Sequence, residues 1–217
     1  GEARAGLAPM GARAVSATVG PTRAAGAPVP DLPPGAPRGG TAPIWRRLAT
    51  ALLRVSGWRM EGEWPDEKRL VVIAAPHSSA WDAVWGFAML LAMDLGVVFM
   101  AKKEAFVGPL AWYLRRMGGL AVDRAAPGGV VDQVASRLRE ADRMWFVLAP
   151  EGTRRRVDKW KTGFWKIARA ADVPVLCAAF DYPNRCVRIG PLMRCSDDLE
   201  ADMARIRAWY RPFMGKH

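Results

Sequence analysis

The segment Ala75-Pro76-His77-Ser78-Ser79-Ala80-Trp81-Asp82 places an imidazole and a carboxylate five residues apart. The chain has two histidines and His217 is the last residue, so base chemistry near neutral pH falls to His77. The segment follows an apolar run and opens a helical pattern. On a continuous helix, residues five apart point about 140° away from each other. A loop-to-helix bend removes that obstacle: Asp82 can reach back to one imidazole nitrogen and fix its tautomer, which leaves the other nitrogen facing outward as a base. Ser78 or Ser79 can cap the helix. With Ser79 as the cap, Asp82 is the third helical residue, where its charge suits the helix dipole. Taken alone, a His-x-x-x-x-Asp spacing is common by chance and equally describes two residues that merely cap a helix, so it needs partners.

Two further stretches could supply them. Gly118-Gly119-Leu120-Ala121-Val122-Asp123-Arg124 reads as a glycine turn, a short strand and an arginine. Ala149-Pro150-Glu151-Gly152-Thr153-Arg154 follows another strand, with Arg155, Arg156, Lys159 and Lys161 beyond it. Arginine grips phosphate through a planar fork, and glycine lets backbone amides approach an anion. Two strand-end arginines and a lysine can converge on one phosphate, while Glu151 can hold such an arginine or accept a substrate hydroxyl. A solvated basic loop is the other reading of the same residues.

The elements that must carry these groups alternate. Apolar β-rich runs at Leu70–Ala75, Val97–Ala101, Leu120–Asp123, Met144–Ala149, Val173–Phe180 and Val187–Ile189 read as strands. Helical periodicity covers Ala80–Met93, Val107–Met117, Val130–Ala141, Thr162–Ala171 and Leu199–Phe213. The expected fold is α/β: a mostly parallel central sheet flanked by helices, preceded by an N-terminal amphipathic helix. That helix spans Ile44–Arg59. Arg46, Arg47, Thr50, Arg54 and Gly57 share one arc, and Ile44, Trp45, Leu48, Leu52, Val55 and Trp58 fill the other. It fits a bilayer interface and an ordinary packed helix equally well. The apolar run Ala83–Ala101, broken by Asp94, reaches the length of a membrane span. Gly96 and the pair Val97-Val98 favour a helix, a turn and a buried strand instead.

The chain of 217 residues is 51% hydrophobic, which allows one sizeable core, and its net charge of +11 points to an anionic partner. Nucleic acid, an anionic membrane or a phosphorylated substrate would each fit, but no nucleic-acid recognition motif appears and the basic residues are spread along the chain. Cys177, Cys186 and Cys195 match no zinc spacing and read as buried thiols in a reducing compartment. No metal site is expected. Residues 1–43 are rich in Ala, Gly, Pro and Arg, with Glu2 and Asp31 the only acids. Such a leader cannot bury enough apolar surface to offset its ordering entropy and is expected to be disordered, leaving 44–217 as the folded domain. An organelle transit peptide and a plain floppy tail both fit it.

In order, His77-Ser78-Ser79-Ala80-Trp81-Asp82, Gly118 to Arg124, Pro150-Glu151-Gly152-Thr153-Arg154 and Val173-Pro174-Val175 resemble the motifs of the glycerophospholipid acyltransferase family, which includes bacterial lysophosphatidate acyltransferases. The resemblance covers about residues 70 to 180. It implies an enzyme that moves a fatty acyl group from a thioester, acyl-CoA or acyl-carrier protein, to the hydroxyl of a lysophospholipid, lysophosphatidate first among them, with no cofactor. It implies His77 as general base and Asp82 as its orienting partner. Arg124, Glu151, Gly152, Thr153 and Arg154, with Lys161 as an addition, would line the glycerol-phosphate pocket, and Pro174 would mark a strand bordering the site. Peripheral attachment to the cytoplasmic face of a membrane follows from such a substrate. The sequence departs from the family's pattern at Pro76, where Asn is frequent, and at Ala149, where Phe is frequent. A different acceptor, such as an ornithine-type or head-group-bearing lysolipid, and a non-catalytic membrane-binding protein are the competing readings.

Overall fold

The computed structural model describes residues 26–102, 106–116, 118–122, 129–153, 157 and 159–216. The described residues build an α/β fold around a seven-stranded mixed sheet. In chain order the elements are α1 (Pro43–Ser56), β1 (Arg59–Glu61), β2 (Arg69–Ala75), α2 (Trp81–Met93), β3 (Val98–Lys102), α3 (Gly108–Arg116), β4 (Gly119–Val122), α4 (Gly129–Glu140), β5 (Met144–Leu148), α5 (Gly163–Ala171), β6 (Val175–Asp181), β7 (Cys186–Met193) and α6 (Leu199–Tyr210). The sheet order is β1-β7-β6-β2-β5-β3-β4. Every neighbouring pair is parallel except β6 with β7.

Side-chain alternation along the strands makes two cores. Leu70, Val72, Trp145, Leu176 and Ala178 face α2 and its packing partner α1. Val71, Ile73, Phe146, Val175 and Cys177 face the opposite way, against residues of α4, α5 and α6 such as Leu138, Phe164 and Ile206. Strands covered on both faces read as continuous apolar runs, and β6 is buried at all seven positions. The centre of the sheet, β6-β2-β5, aligns Ala75 with Ala179 and Ile73 with Leu148, so the carboxyl ends of three strands open at one edge. The Ala83–Ala101 run resolves as a helix, a left-handed turn at Asp94 (φ 61°) and a strand. No helix among the described residues is long and apolar enough to cross a membrane.

Three sequence expectations need correction. The first helix stops at Ser56, not Arg59, because Gly57 adopts the left-handed conformation (φ 73°) and turns the chain into β1. β7 runs from Cys186 to Met193, longer than the expected Val187–Ile189, because it is paired on both sides, by β6 and by β1. Of the leader expected to be disordered, residues 26–42 pack on the domain. Leu32 and Ala36 are buried, and Gly35 N–H donates to Asp66 Oδ1 at 2.6 Å. Gly39 N–H donates to Asp94 O at 2.9 Å, Thr41 N–H to Asp94 Oδ1 at 2.7 Å, and Met60 N–H to Pro28 O at 2.7 Å. The segment borrows backbone partners from the domain, and its prolines have little φ freedom to lose. Residues 1–25 lie outside the described part.

Candidate active site

β2 ends at Ala75, and the chain crosses Pro76 to Ala80 before α2 begins. His77 therefore stands just beyond the carboxyl end of a central strand, where open α/β sheets place their ligands. The cap differs in detail from expectation. Ala80 occupies the cap position without a side-chain bond, while Ser79 Oγ accepts from Trp81 N at 3.3 Å. Asp82 is consequently the second helical residue, and its carboxylate reaches back over the loop. Oδ2 accepts from Ser78 N and Ser79 N, each at 2.8 Å, and lies 3.1 Å from His77 Nδ1. The Asp82 side chain is 1% exposed and that of His77 30%. With Nδ1–H donating to Asp82, Nε2 is the nitrogen left as acceptor.

The fourth donor was not legible from spacing. Tyr182, one residue beyond β6, donates its hydroxyl to Asp82 Oδ1. Burial acts to raise the Asp82 carboxyl, but hydrogen bonds from His77, Tyr182 and Ser79 N–H outweigh it and hold the group below its ordinary value. Burial raises the Tyr182 phenol, and its bond to Asp82 adds to that, so it stays a donor.

Glu151 arrives from β5, the neighbour of β2 on the other side. Its Oε2 accepts the backbone N–H of His77 at 2.8 Å, so this carboxylate holds the His77 loop. Burial raises the Glu151 carboxyl, the nearby Asp82 charge adds a little, and the His77 N–H opposes both incompletely. Gly152 follows in a left-handed conformation (φ 66°), and a Cβ there would stand 2.8 Å from Lys161 Nζ. Lys161 is held by its own N–H to Pro150 O at 2.8 Å. The structure thus joins His77, Asp82, Glu151, Gly152 and Lys161 at one edge of the sheet, with Thr153 exposed in the same turn. Arg124 and Arg154 lie outside the described residues. β6 does border the site, as expected of the strand that follows Pro174, but Pro174 itself lies at the strand's far end. It opens β6 and accepts from Val71 N at 3.0 Å, four residues back along the strand from the site, and it is the other end of β6 that delivers Tyr182.

Beneath His77 and Asp82 lies a cavity of about 420 Å³ between the sheet and α2, lined by Val72, Ala74, Gly86, Phe99, Trp145 and Phe180 among others. Among the described residues that line it, His77 and Asp82 carry the titratable side chains. Ala74 and Ala178 are register neighbours and Gly86 faces them across the space, so small residues keep it open. The size suits a small-molecule or lipid-chain site. Among the lining residues used by α2, Asp82 to Leu90 span about 12 Å of helix axis.

No cysteine lines the cavity; Cys177 and Cys186 are buried as expected, while Cys195 is half-buried. Burial pushes Cys177 up to about 12, Cys186 to about 11 and Cys195 to about 12, so all three are protonated thiols at neutral pH.

A family model described as Acyltransferase matches residues 59–181. Among solved structures, the chain is similar to the 1-acyl-sn-glycerophosphate (LPA) acyltransferase PlsC from Thermotoga maritima, with a TM-score of 0.58 and 18% identity over 78% of this chain and 76% of that one. No curated protein matches the chain significantly.

Proposed function

Because the chain belongs to the acyltransferase family, we propose that it transfers a fatty acyl group from a thioester carrier to the free hydroxyl of a lysophospholipid, with His77 as general base and lysophosphatidate as the first acceptor to test. One observation carries the reading: an imidazole oriented by a buried carboxylate stands at the mouth of a deep apolar cavity. The cavity takes the acyl chain and brings the thioester carbonyl to Nε2. His77 Nε2 takes the acceptor's hydroxyl proton as its oxygen attacks the carbonyl carbon. Asp82 stabilises the imidazolium that forms. The tetrahedral intermediate collapses, the C–S bond breaks, and the departing thiolate takes the proton from the imidazolium. Base catalysis supplies about 10²–10⁴ in rate, and positioning supplies much of the remainder. Glu151 keeps His77 in place through its backbone. Lys161, with Arg124 and Arg154, would bind the acceptor's phosphate. The donor is acyl-CoA or acyl-carrier protein.

Membrane attachment belongs to the same proposal. The apolar side of α1 points away from the protein: Ile44, Trp45, Leu48 and Leu52 are exposed and Val55 is 90% exposed, while Ala49 and Leu53 face inward. Arg47 and Arg54 border that face along one side and Arg46 is exposed beyond the buried edge, charges suited to an anionic bilayer on the cytoplasmic side. The acceptor lipid resides in such a bilayer.

The test is transfer from radiolabelled palmitoyl-CoA to a panel of lysolipids in micelles, wild type beside His77→Ala. Product on lysophosphatidate that disappears in the variant supports the proposal. Product on a different lysolipid alone keeps the base and reassigns the acceptor. Full activity in a folded His77→Ala protein refutes the mechanism.

A further inference from the structure

We propose that Tyr182 is a positioning residue of the His77–Asp82 pair, setting the rotation of the Asp82 carboxylate through its hydroxyl. The inference rests on the assignment of His77 as the base. Asp82 Oδ2 has three donors, Ser78 N, Ser79 N and His77 Nδ1, and all lie on one side of the carboxylate. Oδ1 points toward β6 and has Tyr182 as its donor. A buried carboxylate oxygen without a donor is costly, so removing the phenol leaves a force that turns the group or draws a proton onto Oδ1. Either change weakens what Nδ1 needs: a fixed, anionic acceptor.

The tyrosine is itself held through its ring and its backbone. Its ring meets Trp58 edge-on, with centroids 5.0 Å apart at 84°. Trp58 stacks on Trp85 of α2 at 5.1 Å. The Tyr182 backbone donates to Met214 O at 3.1 Å and accepts from Arg185 N at 3.0 Å. The segment that carries Met214 also delivers Lys216 N–H to Ser78 Oγ at 2.8 Å. Two of the four groups that grip Asp82, Tyr182 and Ser78, are therefore tied to one stretch of chain. A phenol serving packing alone would need the ring contacts and not the hydroxyl's aim at Oδ1.

Tyr182→Phe keeps the ring and removes only the oxygen. The expected result is a kcat lowered roughly ten- to a hundred-fold, the range for one hydrogen bond to a charged group, with KM for donor and acceptor within about two-fold of wild type. A second readout does not depend on turnover. With two histidines in the chain, ¹⁵N-imidazole NMR resolves His77 against His217. Wild type should show one neutral tautomer protonated at Nδ1, and Tyr182→Phe a mixture. Wild-type kcat with an unchanged tautomer overturns the inference, as does a loss confined to KM or accounted for by unfolding. His77→Ala in the same assay separates the two assignments. If His77→Ala is inactive and Tyr182→Phe is not impaired, only the role of Tyr182 falls. If His77→Ala is active, the base assignment falls and this inference with it.

Discussion

Replacing Gly86 with leucine should shift the preferred acyl donor toward shorter chains. Gly86 lies one helical turn, about 6 Å, beyond Asp82 on α2 and lines the cavity. A Cβ there would meet Phe180 Cζ at 3.7 Å, an ordinary van der Waals contact, and the rest of the side chain would enter the cavity that Gly86 lines. Its four carbons occupy room that about four acyl methylenes would otherwise fill. At about 0.8 kcal/mol per buried methylene, a palmitoyl donor loses about 3 kcal/mol, or roughly 200-fold in kcat/KM. A butyryl donor that ends before Gly86 loses little. Helix propensity favours the change, since leucine is a better helix former than glycine by about 0.5–1 kcal/mol. The assay is kcat/KM across an acyl-thioester series from four to sixteen carbons, with thermal melts alongside. A folded variant whose palmitoyl-to-butyryl ratio equals that of wild type would show that the acyl chain does not occupy this cavity.

Asp82→Asn should fold, since Tyr182 and the two backbone N–H groups can still meet an amide, yet kcat should fall by about 10²–10⁴ because the imidazolium loses its counter-charge; a drop of less than three-fold would contradict the pairing. The raised Glu151 carboxyl means the folded state holds that proton more tightly than the unfolded chain, so its contribution to stability is present at acid pH and lost as pH rises through the folded pKa. Glu151→Gln, which can still accept the His77 N–H, should therefore melt higher than wild type at pH 7.5, with the difference shrinking toward pH 4; calorimetry across that range checks it. Gly152→Val should be impaired in acceptor KM, because its Cβ would displace the Lys161 ammonium 2.8 Å away; unchanged acceptor kinetics would remove Lys161 from the pocket. Replacing Trp45 and Val55 with Ser should weaken flotation with vesicles of anionic lipid while leaving activity on micellar acceptor near wild type.

The central strands were legible because both faces of a parallel sheet are covered, which makes β2 and β6 apolar at nearly every position. β1 was not. It is three residues long, charged at both ends, and exists through pairing with β7 and the Arg59–Glu61–Arg188 ion pairs. Composition also misjudged residues 26–42. Such a segment cannot fold alone, but the Asp66 and Asp94 carboxylates accept from its backbone N–H groups, which composition does not register. His77 and Asp82 were legible because five residues separate them across one loop-to-helix bend. Tyr182 is 100 residues from Asp82, and only the adjacency of β6 and β2 brings them together. The cavity rests on Ala74, Gly86 and Ala178, whose smallness means nothing until the sheet order is known.

For the proposed reaction, position and the opposite shifts of the two carboxylates both favour Asp82 as the partner of the imidazole. Asp82 and Glu151 both contact His77, one at Nδ1 and the other at the backbone N–H. Asp82 is the more deeply enclosed, yet it is the one held anionic, because four donors converge on its two oxygens. Glu151 receives the His77 N–H and is raised by burial, so as pH falls it takes a proton before Asp82 does. A carboxylate that must face a newly formed imidazolium works best when its charge is already fixed and cannot be quenched by the proton passing nearby. Asp82 meets that requirement and Glu151 does not. Glu151 is instead suited to hold the loop, a task that a neutral amide can also perform. That is why Asp82→Asn and Glu151→Gln, chemically the same change, should part company: the first removes the counter-charge from the reaction, and the second leaves the base in place.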